Sequence, residues 1–266
     1  MCILYWYRKA WGAYKSNLRT IIPAMLVVLG LNTLSLFVAG MGIGSYVLSI
    51  LESPSLLYDY LNPSVLSIVL ATLVIFLLIS SYVSAFKIVV LRSAYHGKDV
   101  DLFLSLREAL KHTPSMYRLT LIFLAIACSM VLLLAVAVGG AGLVMAYVLG
   151  LPIPVVVAGT FVLVALFMLL MVWVFVRTFW ARVYVVSDGI GAVDALRKSW
   201  ALTGTQIKKA VSGFLAKGGL LLGAVAAAQI PFVDVLALEF FFEPLDTLVT
   251  VAVAEDLENF ENARSE

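Results

Sequence analysis

Apolar positions run along this chain in blocks far longer than a soluble helix uses. There are 32 uncharged residues between Arg19 and Glu52, 27 between Asp59 and Lys87, and 58 between Arg118 and Arg177. A bilayer core about 30 Å thick takes roughly 20 helical residues, so the first two blocks predict one span each and the third predicts two. Gly150 to Pro154 (GLPIP) is the expected turn inside the third block, because its prolines withdraw backbone donors and its glycine frees the chain. Spans are expected over 20–49, 63–93, 119–149 and 153–180, all long enough to tilt or project beyond the hydrocarbon. Further on, Lys217 interrupts the pattern and only 16 uncharged residues follow before Asp234. Two more spans are expected there, over 206–229 and 234–255, with Pro231 in the turn.

The loops give the orientation, since short cytoplasmic loops carry the excess of Lys and Arg. Arg8, Lys9, Lys15 and Arg19 precede the first span. Arg92, Lys98, Arg107, Lys111 and Arg118 lie in the second loop, and Arg177, Arg182, Arg197, Lys198, Lys208 and Lys209 in the fourth. These are fifteen of the 18 basic residues, and the opposite loops hold only Glu52, Asp59, Asp234 and Glu239. The expectation is a multi-pass cell-membrane protein with six spans and both termini cytoplasmic. The first apolar block exceeds the roughly 7 to 15 residues of a cleavable signal, so it is expected to be retained.

The three basic segments can be superposed without gaps, at offsets of 99 and 90 residues. Arg8-Lys9-Ala10-Trp11 then matches Arg107-Glu108-Ala109-Leu110 and Arg197-Lys198-Ser199-Trp200. In this register Tyr7, Trp11, Tyr14 and Leu18 follow helical spacing, as do Leu106, Leu110, Thr113 and Tyr117, and Leu196, Trp200, Thr203 and Ile207. Each segment therefore reads as a basic amphipathic helix along the inner leaflet. A breaker followed by a capping residue, Pro114-Ser115 or Gly204-Thr205, is expected to separate it from the next span in the second and third copies. The first copy has Lys15-Ser16 there and predicts a softer break.

The fold class is thus an all-α polytopic membrane protein, with six transmembrane helices as three parallel hairpin repeats. Each repeat is preceded by a cytoplasmic interfacial helix, in one integral membrane domain over 1–266. The units run over about 1–93, 99–182 and 188–260, related by an axis along the membrane normal. Ordinary topogenic signals, basic residues beside Trp or Tyr before each span, could produce the same likeness.

Composition agrees with the membrane class: 63% of the 266 residues are hydrophobic and 13% charged, at a mean hydropathy of +1.06. Soluble domains average roughly 45–50% and about 25%. A net charge of +2 argues against a nucleic-acid partner. Cys2 and Cys128 fit no metal or disulfide spacing. His96 and His112 lack any HExxH context, and neither a phosphate loop nor a nucleophile elbow occurs. No metal, cofactor or catalytic residue is expected, and no enzymatic activity.

The sharper candidates are charges at depth, which are costly and usually face a bundle interior or a water-filled cavity. Glu239, Glu243 and Asp246 share one face of the last helix, with Lys87 and Lys217 as candidate counter-charges. They could form an acidic patch or cation route opening to the outer side. Phe240 to Phe242 and Pro244 favour instead a broken start that leaves Glu239 and Glu243 in the outer headgroup region, with both lysines snorkelling. Gly219, Gly223 and Ala227 form a small-residue stripe expected to pack within the molecule rather than in a dimer. Gly40, Gly42 and Gly44 are expected to loosen the outer end of the first span.

The most distinctive stretch runs from Val185 to Trp200, where Asp188 or Ser187 can cap a helix and Gly189 and Gly191 allow a tight exit from the fourth span. An Asp-Gly pair, a short gap and Ala-Leu-Arg-Lys-Ser-Trp between the fourth and fifth spans resembles a large group of six-span prokaryotic membrane proteins. The group includes the membrane domain of glycerophosphoryl diester phosphodiesterases and related uncharacterised families. The likeness extends over the topology of nearly the whole chain, but its specific motif is confined to Asp188 to Trp200. It implies a helical membrane domain, mostly without known activity. No residues remain outside the spans for the phosphodiesterase barrel, so no catalytic residue carries over.

The function expected is that of a non-enzymatic scaffold, or a handler of lipid or small amphiphilic molecules. Its partners would be the bilayer and anionic lipids, held by Arg8, Lys9, Trp11, Arg107, Arg197, Lys198 and Trp200. The alternative is the permease subunit of a multi-component transporter, coupled to a cytoplasmic ATPase through the Asp188 to Trp200 helix. An intramembrane enzyme using the acidic cluster ranks last, and the acidic tail Glu255 to Glu266 is expected to fray.

Overall fold

The computed structural model describes residues 2–41, 63–98, 100–148, 150, 152–228 and 238–265, and all the regular structure among them is helical. Helix α1 (Cys2–Ser16) meets α2 (Leu18–Ala39) at Asn17. Then follow α3 (Pro63–Tyr95), α4 (Leu102–Leu143) with a π-helical turn at Val144–Val148, and α5 (Ile153–Thr178). Phe179 and Trp180 turn the chain into α6 (Ala181–Ser187), followed by α7 (Ala192–Thr205) and α8 (Ile207–Ala227). A second π-helical turn, Leu238–Phe242, leads into α9 (Glu243–Ser265). The outer glycines Gly42 and Gly44, with Glu52, Asp59, Pro231 and Asp234, lie outside the described residues.

Five helical segments are long and apolar enough to cross a membrane: Leu18–Ala39, Val65–Tyr95, Leu102–Leu143, Ile153–Ser187 and Ile207–Ala226. The outer stretches of α4 and α5 carry exposed Val131, Leu132, Leu133 and Val136, and Phe161, Val162, Leu166 and Leu169. Apolar surface that continuous is untenable in water and suited to lipid. At the junction between α4 and α5, Gly150 has φ +61° and Pro152 caps the start of α5. The positive φ explains glycine there.

The breaks between basic segments and spans fall differently from the sequence expectation. Helix α4 runs unbroken through Pro114. Proline removes one hydrogen bond, to the carbonyl of Leu110, and both residues are exposed, so that carbonyl can be solvated. Asp101 caps this helix, accepting from the backbone N–H of Phe103 at 2.9 Å and of Leu104 at 3.3 Å. The first and third segments do break, at Asn17 and Gln206, which occupy the same place in the superposed register. Each break is held by a side-chain amide. Asn17 Nδ2 donates to the carbonyls of Ala13 (3.0 Å) and Ala94 (2.9 Å), and Gln206 Nε2 to that of Leu257 (2.9 Å).

Helix α9 is the hub of the bundle, packed against α1, α3, α6, α7 and α8. Leu248, Val249, Val251, Val253 and Leu257 are all buried. With α8 it forms an antiparallel hairpin whose rungs are Lys209–Asp256 (3.3 Å), Gly213 against Val253, Lys217–Asp246 (2.8 Å), and Gly223 against Phe242. Helix α9 continues to Ser265; along it Glu258 pairs with Lys198 at 2.6 Å, and Glu255 Oε1 lies 3.1 Å from His96 Nε2. These pairs, with Lys9 lying 4.4 Å from the centre of the Tyr95 ring, gather α1, α7 and the ends of α3 and α9 at one end of the bundle. The largest buried side chains, among them Trp6, Phe86, Leu91, Trp180, Tyr184 and Leu202, lie toward that end.

Candidate functional site

Six charged side chains form a layer across the bundle. Lys87 of α3 bonds Glu243, and Lys217 of α8 bonds Asp246 at 2.8 Å. Lys217 also donates to Thr250 Oγ1 at 2.8 Å and lies 4.0 Å from the centre of the Phe179 ring. Glu239 Oε1 is 3.5 Å from Asn32 Nδ2, and its carboxyl sits against that of Glu243. The sixth member is Arg182 of α6, whose guanidinium lies 5.4 Å from the centre of the Phe123 ring. Pairing is what makes this placement tolerable, because an isolated charge away from water costs several kcal/mol or more.

Lys87 is eight residues from Tyr95 in the 33-residue α3, so it sits about 12 Å along the helix from that end, against about 36 Å from Pro63. Glu243 shares its level, within reach of a lysine side chain. The hairpin of α8 and α9 is short, and its polar face is turned toward Lys87 of α3 and Arg182 of α6.

Two adjoining cavities flank this layer. The larger, about 520 Å³, lies between α8 and the Leu238–Phe242 turn, with Phe179, Phe214, Leu221 and Phe242 in its walls and Lys217, Glu239, Glu243 and Asp246 as its ionisable lining. The smaller, about 280 Å³, is lined by Ser84, Lys87, Arg182, Lys217, Glu243 and Asp246 among others. Lys217, Glu243, Asp246 and Phe179 belong to both, so the ion pairs form the partition between them. The glycine stripe is turned into the molecule: a Cβ on Gly219 would meet Tyr7 Oη at 3.2 Å, and one on Gly223 would meet Phe242 at 3.0 Å. No group of three or more His, Cys, Asp or Glu among the described residues could hold a metal ion.

A second set of candidates lies on the basic segments. Tyr14 and Thr203 of the expected face are buried, but the rest of the buried seam falls one position before it. Trp6 and Ala10, Ser105 and Ala109, and Ala195 and Ser199 are buried, while Trp11, Leu110 and Trp200 are exposed. Ala and Ser at the tenth position of each register allow backbones to approach, which the bulky residue after them would prevent. The outward stripe then reads Leu4, Arg8, Trp11 in α1; Phe103, Arg107, Leu110 in α4; and Val193, Arg197, Trp200 in α7, all of it exposed. Trp200 also meets Trp173 edge-to-face at 5.2 Å, and the Arg177 guanidinium lies 4.5 Å and 4.8 Å from the two ring centres.

Asp188 holds α7 by a different device from the cap expected of it. No side chain caps α7, whose first residue follows Gly191. The Asp188 carboxylate instead accepts from Lys198 Nζ at 2.8 Å and from Ser187 Oγ at 2.7 Å, and Lys198 reaches Glu258 as well. Burial lowers the affinity of Lys198 for its proton, but the two carboxylates outweigh it and hold its pKa above the usual lysine value. Gly189 has φ +65°, which makes it the glycine the turn requires.

No family model, curated protein or solved structure matches the chain. Of the site's members, sequence reasoning found Lys87, Lys217, Glu239, Glu243 and Asp246 as the charges within or beside apolar runs. It missed Arg182, counted there with the cytoplasmic loop, although the flanking Phe179 to Val186 is apolar enough to have flagged it. Asn32 and Thr250 gave no signal, because neutral polar side chains at depth are common and only a partner distinguishes them.

Proposed function

We propose that the chain is a non-enzymatic integral membrane protein that holds or moves lipid or small amphiphilic molecules. The observation that carries this reading is the outward stripe on α1, α4 and α7, where an arginine lies between exposed apolar side chains at the same register three times over. Such a surface suits the headgroup boundary: aromatic and aliphatic groups enter the acyl edge while arginines meet phosphates. Each basic residue there is worth about 1 kcal/mol with anionic lipid.

In this reading the three basic segments head three parallel helix pairs, over about 1–93, 99–182 and 188–260, with both ends of the chain cytoplasmic. The matched breaks at Asn17 and Gln206 support the repeat, each tied by an amide to the second helix of its own pair. Helix α9 serves as the sixth membrane helix. It is covered by five neighbours, so it need not be apolar throughout. Kinship with the membrane domain of glycerophosphoryl diester phosphodiesterases belongs to the same proposal.

The test is reconstitution in vesicles of rising anionic-lipid content, with thermal stability and bound-lipid stoichiometry measured together. Both are expected to rise with anionic content, and less so when Arg8, Arg107 and Arg197 are changed to Gln. Indifference to that content would count against lipid handling. Native mass spectrometry of the protein in mild detergent separates the alternative, since a co-purifying ATPase would favour a permease subunit.

A further inference from the structure

Arg182 is the one cation of the charged layer without a carboxylate partner among the described residues. Lys87 is held by Glu243 and Lys217 by Asp246, whereas Arg182 makes no ion pair and no hydrogen bond there, and its contact is the Phe123 ring at 5.4 Å. The position is not at the end of the bundle. Arg92 Nη1 donates to the Ser187 carbonyl at 3.2 Å, and Lys87 in α3 and Arg182 in α6 each precede that tie by five residues, about 7.5 Å of helix. Five guanidinium N–H donors without an acceptor at that level are costly, since a cation at depth ordinarily pairs with a carboxylate or a backbone carbonyl. Arg182 has neither, and its side chain is open to the smaller cavity.

The same cavity holds further unused donors. Ser84 lies in its wall and its hydroxyl makes no hydrogen bond among the described residues, although Ser81 and Thr72 of the same helix donate to the carbonyl four residues back, at 2.7 and 2.8 Å. Lys87 gives Glu243 one of the three N–H donors of an ammonium. The carboxylates in the wall, Glu243 and Asp246, are both engaged by lysines, and Glu239 lines the larger cavity only. Three cations against two carboxylates leave one positive charge over. At about 280 Å³ the space suits a headgroup more than a whole lipid. Donors on two helices around one polar space suit an oxyanion whose oxygens point several ways, and the guanidinium fork matches phosphate.

We propose that the smaller cavity binds the oxygens of one phosphate group, a lipid phosphodiester or free phosphate, with Arg182 as the main donor and Ser84 and Lys87 in support. One negative charge offsets the excess in the wall and gives the guanidinium the acceptor it lacks. In its lipid form the proposal rests on the lipid-handling reading, and it adds to the outward stripe a separate site inside the bundle with a stated headgroup chemistry.

The experiment uses the full chain in maltoside micelles, which contain no phosphate, and four probes: dioctanoylphosphatidylglycerol, dioctanoylglycerol with the same chains, inorganic phosphate, and octanoate. Calorimetry follows binding, with empty micelles to subtract partition, in the chain whose stripe carries Arg8→Gln, Arg107→Gln and Arg197→Gln. One phosphatidylglycerol per chain is expected to bind saturably, at least about tenfold more tightly than dioctanoylglycerol or octanoate. Adding Arg182→Gln should weaken it about tenfold, Arg182→Lys less, and Ser84→Ala about threefold. Because Arg182 holds no ion pair, ligand-free Arg182→Gln is expected to unfold at the same temperature as its parent. If it fails to fold, Ser84→Ala and the probe series on the unaltered chain decide the matter. Arg182-dependent binding of both phosphatidylglycerol and inorganic phosphate supports a site for phosphate from either source; of phosphatidylglycerol alone, a lipid site; of inorganic phosphate alone, a site for the free ion. Binding indifferent to Arg182 and Ser84, octanoate held as tightly as phosphatidylglycerol, or no saturable binding of either phosphate probe overturns the proposal. Anionic-lipid dependence of stability in the chain with its stripe intact keeps the two readings apart: if it persists while no Arg182-dependent site is found, only the phosphate site falls.

Discussion

Lys217 and Asp246 meet at 2.8 Å where α8 crosses α9, with the lysine side chain more enclosed than the carboxylate. The pair therefore lies between two regimes, the roughly 0–1 kcal/mol of an exposed ion pair and the 3–5 kcal/mol lost when one partner of a buried pair is removed. Lys217→Met leaves Asp246 without its cation and is expected to destabilise by about 2 kcal/mol, inside that bracket. Lys217→Met with Asp246→Asn should lose less than the two single changes added together, because no orphaned charge remains. Thermal unfolding of the four proteins in one detergent checks this, and strict additivity would mean that the pair does not interact.

The closest approach in the hairpin makes a second, sharper contrast. A Cβ on Gly213 would lie 2.7 Å from Val253 Cγ1 and 3.1 Å from the Trp180 ring, whereas one on Gly218 would meet nothing within 4 Å. Gly213→Ala should destabilise by about 1–3 kcal/mol through overpacking. Gly218→Ala should be neutral, or stabilising by up to about 1 kcal/mol through helix propensity. Val253→Ala should recover part of the Gly213→Ala loss. Equal stability of the two alanine variants would show that α8 and α9 are not so close.

Asn17 and Gln206 make a prediction about the likeness between the first and third segments. Asn17→Leu removes both amide donors from the break and leaves the carbonyls of Ala13 and Ala94 without that partner; Gln206→Leu does the same to Leu257. Each should cost about 1–2 kcal/mol, the usual consequence of an unsatisfied buried polar group. Met116→Leu, at the matching position of the unbroken second segment, should cost less than about 1.5 kcal/mol. The comparison is read from unfolding midpoints in one lipid composition. If Met116→Leu proves as damaging as the other two, the breaks have no special role.

The long apolar blocks were legible because span length depends on bilayer thickness, which any uncharged run of sufficient length reports. Less legible was whether a proline or a glycine ends a helix. Pro114 is passed through because its orphaned carbonyl is exposed, while the breaks come at Asn17 and Gln206, polar residues whose partners lie 77 and 51 positions away. Part of the buried seam, away from Tyr14 and Thr203, was misplaced by one position for a related reason. Periodicity finds a face carrying large side chains, and the face actually buried carries Ala10, Ala109 and Ser199, whose small size is the point. The acidic cluster could be found as a helical face, but its pairing could not, because the partner of Glu243 is Lys87, from a helix more than 150 residues earlier.

The clamp on α7 makes the last prediction, and its sign follows from Lys198. With its pKa held above the usual lysine value by Asp188 and Glu258, against the opposing effect of burial, the protonated form is favoured in the folded chain. A group whose folded pKa is raised contributes its full stability below the unfolded value, about 10.4 for lysine, and loses it as pH rises through the folded value. The stability difference between the native chain and Lys198→Met should therefore be constant from pH 7 to about 9 and shrink above about 10.4. Lys208→Met, at an exposed lysine, gives the reference. Thermal unfolding across that range checks the clamp. A Lys198→Met difference that stays flat through pH 11 would mean that α7 is held by Ser199 on the Arg177 carbonyl, at 2.6 Å, and by the Trp173–Arg177–Trp200 stack without help from the ammonium.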